Sequence, residues 1–364
     1  MDAQSPTPTR LAWGASPGAA LAAGWRPDEG QAGRWQPLRL ACWKDLTPTV
    51  RELELEPLGG TAPGFEPGAH LPLRWQHEGR VFERHYSLIP PAPGTHDAGR
   101  LRIAVKRLDN GRGGSRALHA LERGATLQMQ PPRAHFALDT QAAHVLLIAG
   151  GIGVTPLLSM AEALARRPGA RGTLTMHYTA RGAAELAYRG RLEAALGAAL
   201  RCHDSLSGER LDLDAAIAAL PPAAQCYACG PASLLDALRA AWARAARPAS
   251  ALRFESFGSS GRLPNRRFVV RLARHGGREI EVDAHSSLLD ALERAGIAVL
   301  ADCRHGACGL CALDVVGCEG GELDHRDVFL SPAQKAAGRT ICACVSRASG
   351  GTLTLDTAWR GAPR

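Results

Sequence analysis

Asp302-Cys303-Arg304-His305-Gly306-Ala307-Cys308-Gly309-Leu310-Cys311 is the stretch on which the reading of this chain turns. Its three cysteines stand at a C-x4-C-x2-C spacing inside one tight loop. Completed by one distant cysteine, that spacing is the ligand pattern of a plant-type [2Fe-2S] centre, a one-electron carrier. Gly306 and Gly309 let the backbone turn close to sulfur, where N–H groups raise the potential of such a centre. The fourth thiolate must come from farther along, and Cys318, Cys342 and Cys344 are the candidates. Cys318 follows Cys311 by only seven residues, close for this arrangement. Cys342 and Cys344 are two apart, so on a strand they would share a face. A zinc site is the competing reading. Structural zinc usually shows paired C-x2-C knuckles, and this region holds a single pair.

Outward from the loop, the composition is that of a globular protein, 45% hydrophobic and 21% charged. A chain of 364 residues suits two or three domains rather than one core. No apolar run approaches the ~18–20 residues that span a bilayer, so no membrane association is expected. The N-terminus lacks a basic segment followed by an apolar core, and most of the ten cysteines crowd between Cys303 and Cys344. Together these predict a reducing, cytoplasmic setting with metal ligands rather than disulfides. Cys42, Cys202 and Cys226 read as buried structural cysteines. The formal charge of +8 comes without a basic block interleaved with aromatics. Nucleic-acid binding is therefore not expected, and a solvated basic surface meeting an acidic redox partner is.

The period of the pattern changes along the chain. Residues 1–36, rich in Ala, Gly and Pro, are expected to form a poorly ordered extension. Residues 37–138 alternate in short strands between turn signals, with Val50, Leu53 and Leu55 among charged neighbours and Leu101, Ile103 and Val105 on one face. They predict a small antiparallel β-barrel. From 139 to 258 apolar strands alternate with helices, including one around Glu193–Leu200, as in an open α/β sheet. Residues 259–266 read as a linker. Residues 267–364 predict an α+β domain: a hairpin, then a helix with Ser286 as N-cap and Gly296 as its stop, then the cysteine loop.

Two further motifs carry chemistry. In the barrel, Arg84-His85-Tyr86-Ser87 and the later Lys106, Arg107, Gly113, Gly114 and Ser115 gather cations, hydroxyls and a glycine-rich backbone. A phosphate needs such donors, and Tyr86 offers a face for a planar ring, so the set suits FMN. Gly150-Gly151-Ile152-Gly153-Val154-Thr155-Pro156 follows a strand and opens a helix, where a pyrophosphate is bound. Cys229-Gly230-Pro231 ends another strand, and two such strand ends would line one crevice.

In their order these motifs resemble the phthalate dioxygenase reductase family of the ferredoxin–NADP reductase superfamily, from about residue 37 to 358. The signatures are R-H-Y-S-L, V-K-R with N-G-R-G-G-S, A-G-G-I-G-V-T-P, Y-A-C-G-P, F-E-S-F-G, the cysteine loop, D-H-R-D-V-F-L-S and C-V-S-R-A. The resemblance implies a flavin barrel, an NAD-binding α/β domain and a plant-type ferredoxin domain of the β-grasp type. It implies that Arg84 holds the FMN phosphate, helped by Ser115 and the stretch Val105-Lys106-Arg107, with His85 and Gly114 in the same site. Tyr86 would pack on the flavin ring and Ser87 would bond near its N5. Gly151, Gly153, Val154, Thr155 and Pro156 would contact the nicotinamide nucleotide, with Cys229 and Gly230 beside the nicotinamide. Phe257 would cover the flavin, and Cys344 would join Cys303, Cys308 and Cys311 as fourth ligand. The implied activity runs from NADH, or NADPH, to FMN, to [2Fe-2S], to the oxygenase component of a Rieske-type system, with the reductase a monomer. An FAD-containing reductase feeding a di-iron enzyme, or a zinc-bearing binding protein without redox chemistry, are the alternatives. The chain departs from the family in carrying Gly182 after Y-T-A-R, where an acid often stands in NADH users. Arg189 and Arg191 are near enough in sequence to meet a 2′-phosphate. About three extra residues before Asp324 put the loop holding Cys318 in question.

Overall fold

A computed structural model of the chain describes residues 35–94, 99–109, 111–167, 169, 172–257 and 263–357. The expected extension lies almost wholly outside the described residues, as does the first half of the expected linker. The chain divides into two compact units. One is built from residues up to Arg107, Arg116–Cys229 and Ala241–Phe254; the other from Leu108–Ser115, Gly230–Ala240 and Glu255 onward.

The first unit begins with β1 (Gln36–Asp45), β2 (Val50–Pro57), β3 (His70–His77), β4 (Arg80–Ser87) and β5 (Leu101–Lys106). The short helix α1 (Gly114–His119) leads to β6 (Thr126–Met129). The six strands form one antiparallel sheet in the order β4-β3-β6-β1-β2-β5. A bridge between Leu88 and Ile103 joins the end of β4 to β5 and curls the sheet toward closure. The predicted alternation is what fills it: Leu53, Leu55, Leu101, Ile103 and Val105 are buried in its core, with Leu38, Leu71 and Leu73. A bulge between Leu40 and Cys42 bends β1 against β2.

The parallel part follows as β7 (Val145–Gly150), α2 (Val154–Ala165), β8 (Leu174–Ala180), α3 (Arg189–Leu196), β9 (Leu200–Asp204), α4 (Leu213–Ala218), β10 (Gln225–Cys229), α5 (Ala232–Arg244) and β11 (Leu252–Glu255). Strand order is β11-β10-β7-β8-β9. Every residue of β7 is buried because it is the central strand, as its unbroken apolar run requires. The helix expected around Glu193–Leu200 ends earlier, and Leu200 opens β9. Gly197, at φ 53°, stops α3, and the L-R-C-H-D stretch then pairs in parallel with β8.

The second unit contains β12 (Phe268–Leu272), β13 (Arg278–Val282), α6 (Leu288–Arg294), β14 (Ala312–Glu319), β15 (Leu323–Asp324), α7 (Pro332–Ala337), β16 (Thr340–Cys342), β17 (Arg347–Ala348) and β18 (Thr352–Asp356). Five of the strands form a mixed sheet, β13-β12-β18-β14-β16, with β18 parallel to β12. Its core is Phe268, Val270, Leu288, Leu289, Leu292, Ile341 and Leu353. Two expectations are corrected in this unit. The N-cap of α6 is Ser287, whose hydroxyl accepts from the Asp290 N–H while the Asp290 carboxylate accepts from the Ser287 N–H. Ser286 is instead committed to Asp283, its hydroxyl 2.6 Å from the carboxylate. Cys318 stands on β14 rather than in a loop. Gly296, at φ 77°, follows the helix as predicted. Among the described residues no helix is long and apolar enough to cross a membrane.

Candidate functional site

Strand β4 delivers the barrel residues. The β3–β4 register sets Leu73 opposite Arg84, Leu71 opposite Tyr86 and His70 opposite Ser87, so Arg84 and Tyr86 share a face. Arg84 donates to the carbonyl of Glu83 at 2.7 Å and has no carboxylate partner among the described residues. Ser87 is 5% exposed, and its hydroxyl has no hydrogen-bond partner. Ser87 stands on the opposite face of β4 from Arg84; its buried orphan hydroxyl fits a polar group of a ligand, and Arg84, without a carboxylate partner, fits an anion such as a flavin phosphate ester. Tyr86 packs at the edge of the barrel core, 6.4 Å from Trp75 between ring centroids. Val105 is buried, and its carbonyl meets His119 Nε2 at 2.9 Å.

Lys106 is placed differently from a free phosphate ligand: its Nζ is 2.8 Å from Glu185. Burial works against charge on Glu185, but Lys106 and the Thr49 hydroxyl hold its carboxyl below the usual range. Arg107 is fixed through its N–H to the Thr49 carbonyl, 2.8 Å. In the second unit, Ser115 Oγ accepts from the Leu108 N–H at 3.0 Å and closes the loop that leads to buried Gly114. His85 stacks on buried His70, centroids 4.9 Å apart at 11°, and His70 lies 5.1 Å from His135. Sequence reasoning missed this histidine group, because its members come together only through strand pairing.

The parallel sheet sets its strand ends side by side. Cys229 is opposite Ala149 in the β10–β7 register, and chain order reverses at this pair of strands. That is where open α/β sheets bind ligands. Gly151, at φ 54°, turns the chain from β7 through a short 3₁₀ stretch, Gly151–Gly153, into α2. Val154, Thr155 and Pro156 are buried in the first turn, and the Thr155 hydroxyl donates to the Ile152 carbonyl at 3.0 Å. Cys226 is fully buried, as expected of a structural thiol, while Cys42 and Cys202 are only half-buried; Cys229, expected beside the nicotinamide, is fully buried at its strand end.

Arg191 is committed elsewhere than to a 2′-phosphate: it pairs with Glu162 and donates to the Pro90 and Pro91 carbonyls at 3.0 Å each. Arg189 pairs with Glu193 at 2.7 Å. An acid does reach the turn after Y-T-A-R, but from the neighbouring strand. Asp204 accepts from the N–H groups of Gly182 and Ala183 at 3.0 and 3.1 Å.

In the second unit the cysteine loop is closely cradled. A Cβ on Gly306 would lie 2.6 Å from Val345 Cγ2 and 2.9 Å from Asp327 Cα. One on Gly309 would lie 2.3 Å from the ring of Phe329. Cys303, Cys311 and Cys344 are buried and Cys308 is exposed. The N–H groups of Ala307 and Cys308 each point to Cys303 Sγ at 3.4 Å. The Cys344 thiol lowers the pKa of both Cys303 and Cys311, whereas Cys342 lowers that of Cys311. On Cys318 only burial acts. Cys342 closes β16 and Cys344 lies in the turn beyond it, so the two do not share a strand face.

The Cys344 bond, with His305 and the backbone N–H groups, holds Cys303 down to about 3 against its burial. Thiol bonds from Cys342 and Cys344 hold Cys311 down to about 4. Thiolate is the form that ligates metal. Among the described residues no group of three or more His, Cys, Asp or Glu side chains has ready metal-holding geometry. Nearby, burial and then the charge on Cys303 push Glu255 up to about 8. Phe257, two residues on, is half-buried in the same unit.

Three family models match the chain: oxidoreductase FAD-binding domain over residues 40–138, oxidoreductase NAD-binding domain over 147–240, and 2Fe-2S iron-sulfur cluster binding domain over 273–349. The chain is 38% identical over 322 residues to the heme-dependent oxidative N-demethylase beta subunit of Ectopseudomonas mendocina (strain ymp), covering 88% of this chain and 98% of that protein. It is 42% identical over 303 residues to phenoxybenzoate dioxygenase subunit beta of Ectopseudomonas oleovorans, covering 82% and 89%. Among solved structures, phthalate dioxygenase reductase aligns with a TM-score of 0.67 and 32% identity over 88% of this chain and 98% of that one. With flavin, nicotinamide and iron–sulfur domains in one order and relatives matched nearly end to end, the chain belongs to the phthalate dioxygenase reductase family of oxidoreductases.

Proposed function

We propose that this protein is the reductase component of a multicomponent Rieske-type oxygenase system, drawing on NADH, holding FMN and delivering single electrons from a [2Fe-2S] centre to the oxygenase. The observation that carries the reading is the buried, unpartnered Ser87 hydroxyl on the strand that also presents Arg84, on the same chain as a cysteine loop cradled at Gly306 and Gly309. When bound, a flavin would supply acceptance of one hydride with its electron pair, and an iron–sulfur centre would supply one-electron transfer.

Arg84 would grip the flavin phosphate, with Ser115 and the Val105–Arg107 stretch beside it. Tyr86 would pack on the ring and Ser87 would offer its hydroxyl near N5. Gly151, Gly153 and Thr155 would seat the nicotinamide nucleotide at the β7–β10 switch, with Cys229 closing the crevice and Phe257 yielding its place over the flavin. No strong acid or base is required; alignment is. Cys303, Cys308, Cys311 and Cys344 would hold the irons. FMN, rather than the FAD of the barrel's family description, is favoured by the N-G-R-G-G-S loop closed through Ser115. NADH is favoured over NADPH by the commitment of Arg191 to Glu162. The names of the relatives, a heme-dependent N-demethylase subunit and a dioxygenase subunit, support a terminal oxygenase as acceptor. The protein is proposed to act as a cytoplasmic monomer.

Mass spectrometry of the extracted cofactor decides between FMN and FAD. Cys344→Ser is expected to abolish iron incorporation while NADH still bleaches the flavin, and Cys342→Ser to retain iron. Full iron content in the Cys344 variant would remove it from the ligand set.

A further inference from the structure

We propose that Phe329 is a positioning residue of the iron–sulfur centre, its ring forming the outer cover of the ligand loop and holding the reduction potential down. The proposal rests on the reading of Cys303, Cys308, Cys311 and Cys344 as the ligands. The D-H-R-D-V-F-L-S segment, residues 324–331, is tied to the cysteine loop just before Phe329 and to itself just after it. The Val328 N–H donates to the Gly306 carbonyl at 3.0 Å, and the Leu330 N–H donates to the Asp327 carboxylate at 2.8 Å. Asp327 is fully buried and also accepts from the Ser346 hydroxyl at 3.0 Å, two residues beyond Cys344. Lys335 Nζ donates to the Asp327 carbonyl at 2.6 Å, and the Arg239 guanidinium donates to the Val328 carbonyl at 3.2 Å. A backbone held at so many points gives the ring between them a fixed place.

That place is the bare backbone of Gly309. Three atoms at the outer edge of the Phe329 ring lie 2.3, 2.4 and 2.5 Å from where a Gly309 Cβ would stand. The ring tip therefore fills the space of a missing side chain between Cys308 and Cys311. Core packing does not explain it. Val328 and Leu330 are each 1% exposed, while Phe329 between them is 44% exposed. The ring tip lies on the loop while much of the residue meets solvent.

The physical effect has a definite sign. Reduction adds negative charge to a centre already held by thiolates. Water solvates the more charged, reduced form better, so an apolar cover that keeps water from the loop favours the oxidised form and lowers the potential. Removing the ring lets water approach at Gly309 and raises it.

The test is an EPR-monitored redox titration of the full-length holoprotein as Phe329→Ala and Phe329→Leu, with iron content measured beside it. Phe329→Ala is expected to shift the midpoint potential upward and to speed exchange of the centre's surroundings with D2O, while Phe329→Leu, which keeps an apolar cover, stays near the parent. A Phe329→Ala midpoint equal to the parent at full iron content would overturn the proposal. Should the alanine variant lose iron, Phe329→Val is titrated instead, and an unshifted midpoint there overturns it equally. A parent protein without iron would instead sink the ligand assignment on which the proposal stands.

Discussion

Ser87 buries a hydroxyl without a partner, which is costly unless something binds, and Arg84, three residues earlier on β4, has no carboxylate partner among the described residues. A charge-assisted hydrogen bond contributes about 1.5–3 kcal/mol. Arg84→Ala is therefore expected to weaken flavin retention roughly ten- to hundredfold. Titration of the flavin-free protein with FMN, followed by fluorescence quenching, measures it; an unchanged Kd would take Arg84 out of the anchor. The chemical identity of this pair was legible in R-H-Y-S, and its readiness was not. Sequence cannot show that no carboxylate comes to Arg84, nor that Glu185 does come to Lys106. The same holds for Asp204: sequence leaves an acid missing after Arg181, and an adjacent parallel strand brings one there.

At the scale of elements, local chemistry decided most boundaries, and adjacent equivalents caused the errors. Ser286 and Ser287 both precede the α6 pattern, and either hydroxyl could cap it. Asp290 completes a capping box only with Ser287, since the reciprocal bond needs a three-residue spacing. Ser287→Ala is expected to cost about 1 kcal/mol of stability. Urea denaturation followed by helix ellipticity checks this, and a larger loss in Ser286→Ala would contradict the assignment. Likewise Gly197 ends α3 before Leu200, and alternation after it was too short to be read as a strand without β8 beside it.

Within the first unit, barrel and parallel sheet are joined by polar bonds between residues far apart in sequence. Tyr188 donates to Glu52 at 2.6 Å, the Gly68 N–H to Ser159 Oγ at 2.9 Å, and Arg191 bridges Glu162 to the Pro90 and Pro91 carbonyls. Glu162 is 2% exposed, so Arg191→Ala strands a buried carboxylate. The expected loss is about 3 kcal/mol, at the low end for a broken buried pair because Arg166 remains 3.4 Å away. Calorimetry should show a lower melting temperature, with Glu162→Met added to Arg191→Met restoring much of it. A single-variant melting temperature matching the parent would mean the seam contributes little.

By itself the sequence determined the order of domains, the cysteine loop, the glycine turn into α2 and the alternation that fills the barrel. All of these are short-range: spacing, period and turn chemistry act within a few residues. Only the tertiary structure decided that Cys318 stands on a strand and that Cys344 lies in the turn beyond the strand that Cys342 closes. It alone committed Arg191 to Glu162 and laid Phe329 on Gly309. Those choices depend on which distant segments pack together, and strand pairing and burial, rather than residue type, select among chemically equivalent candidates.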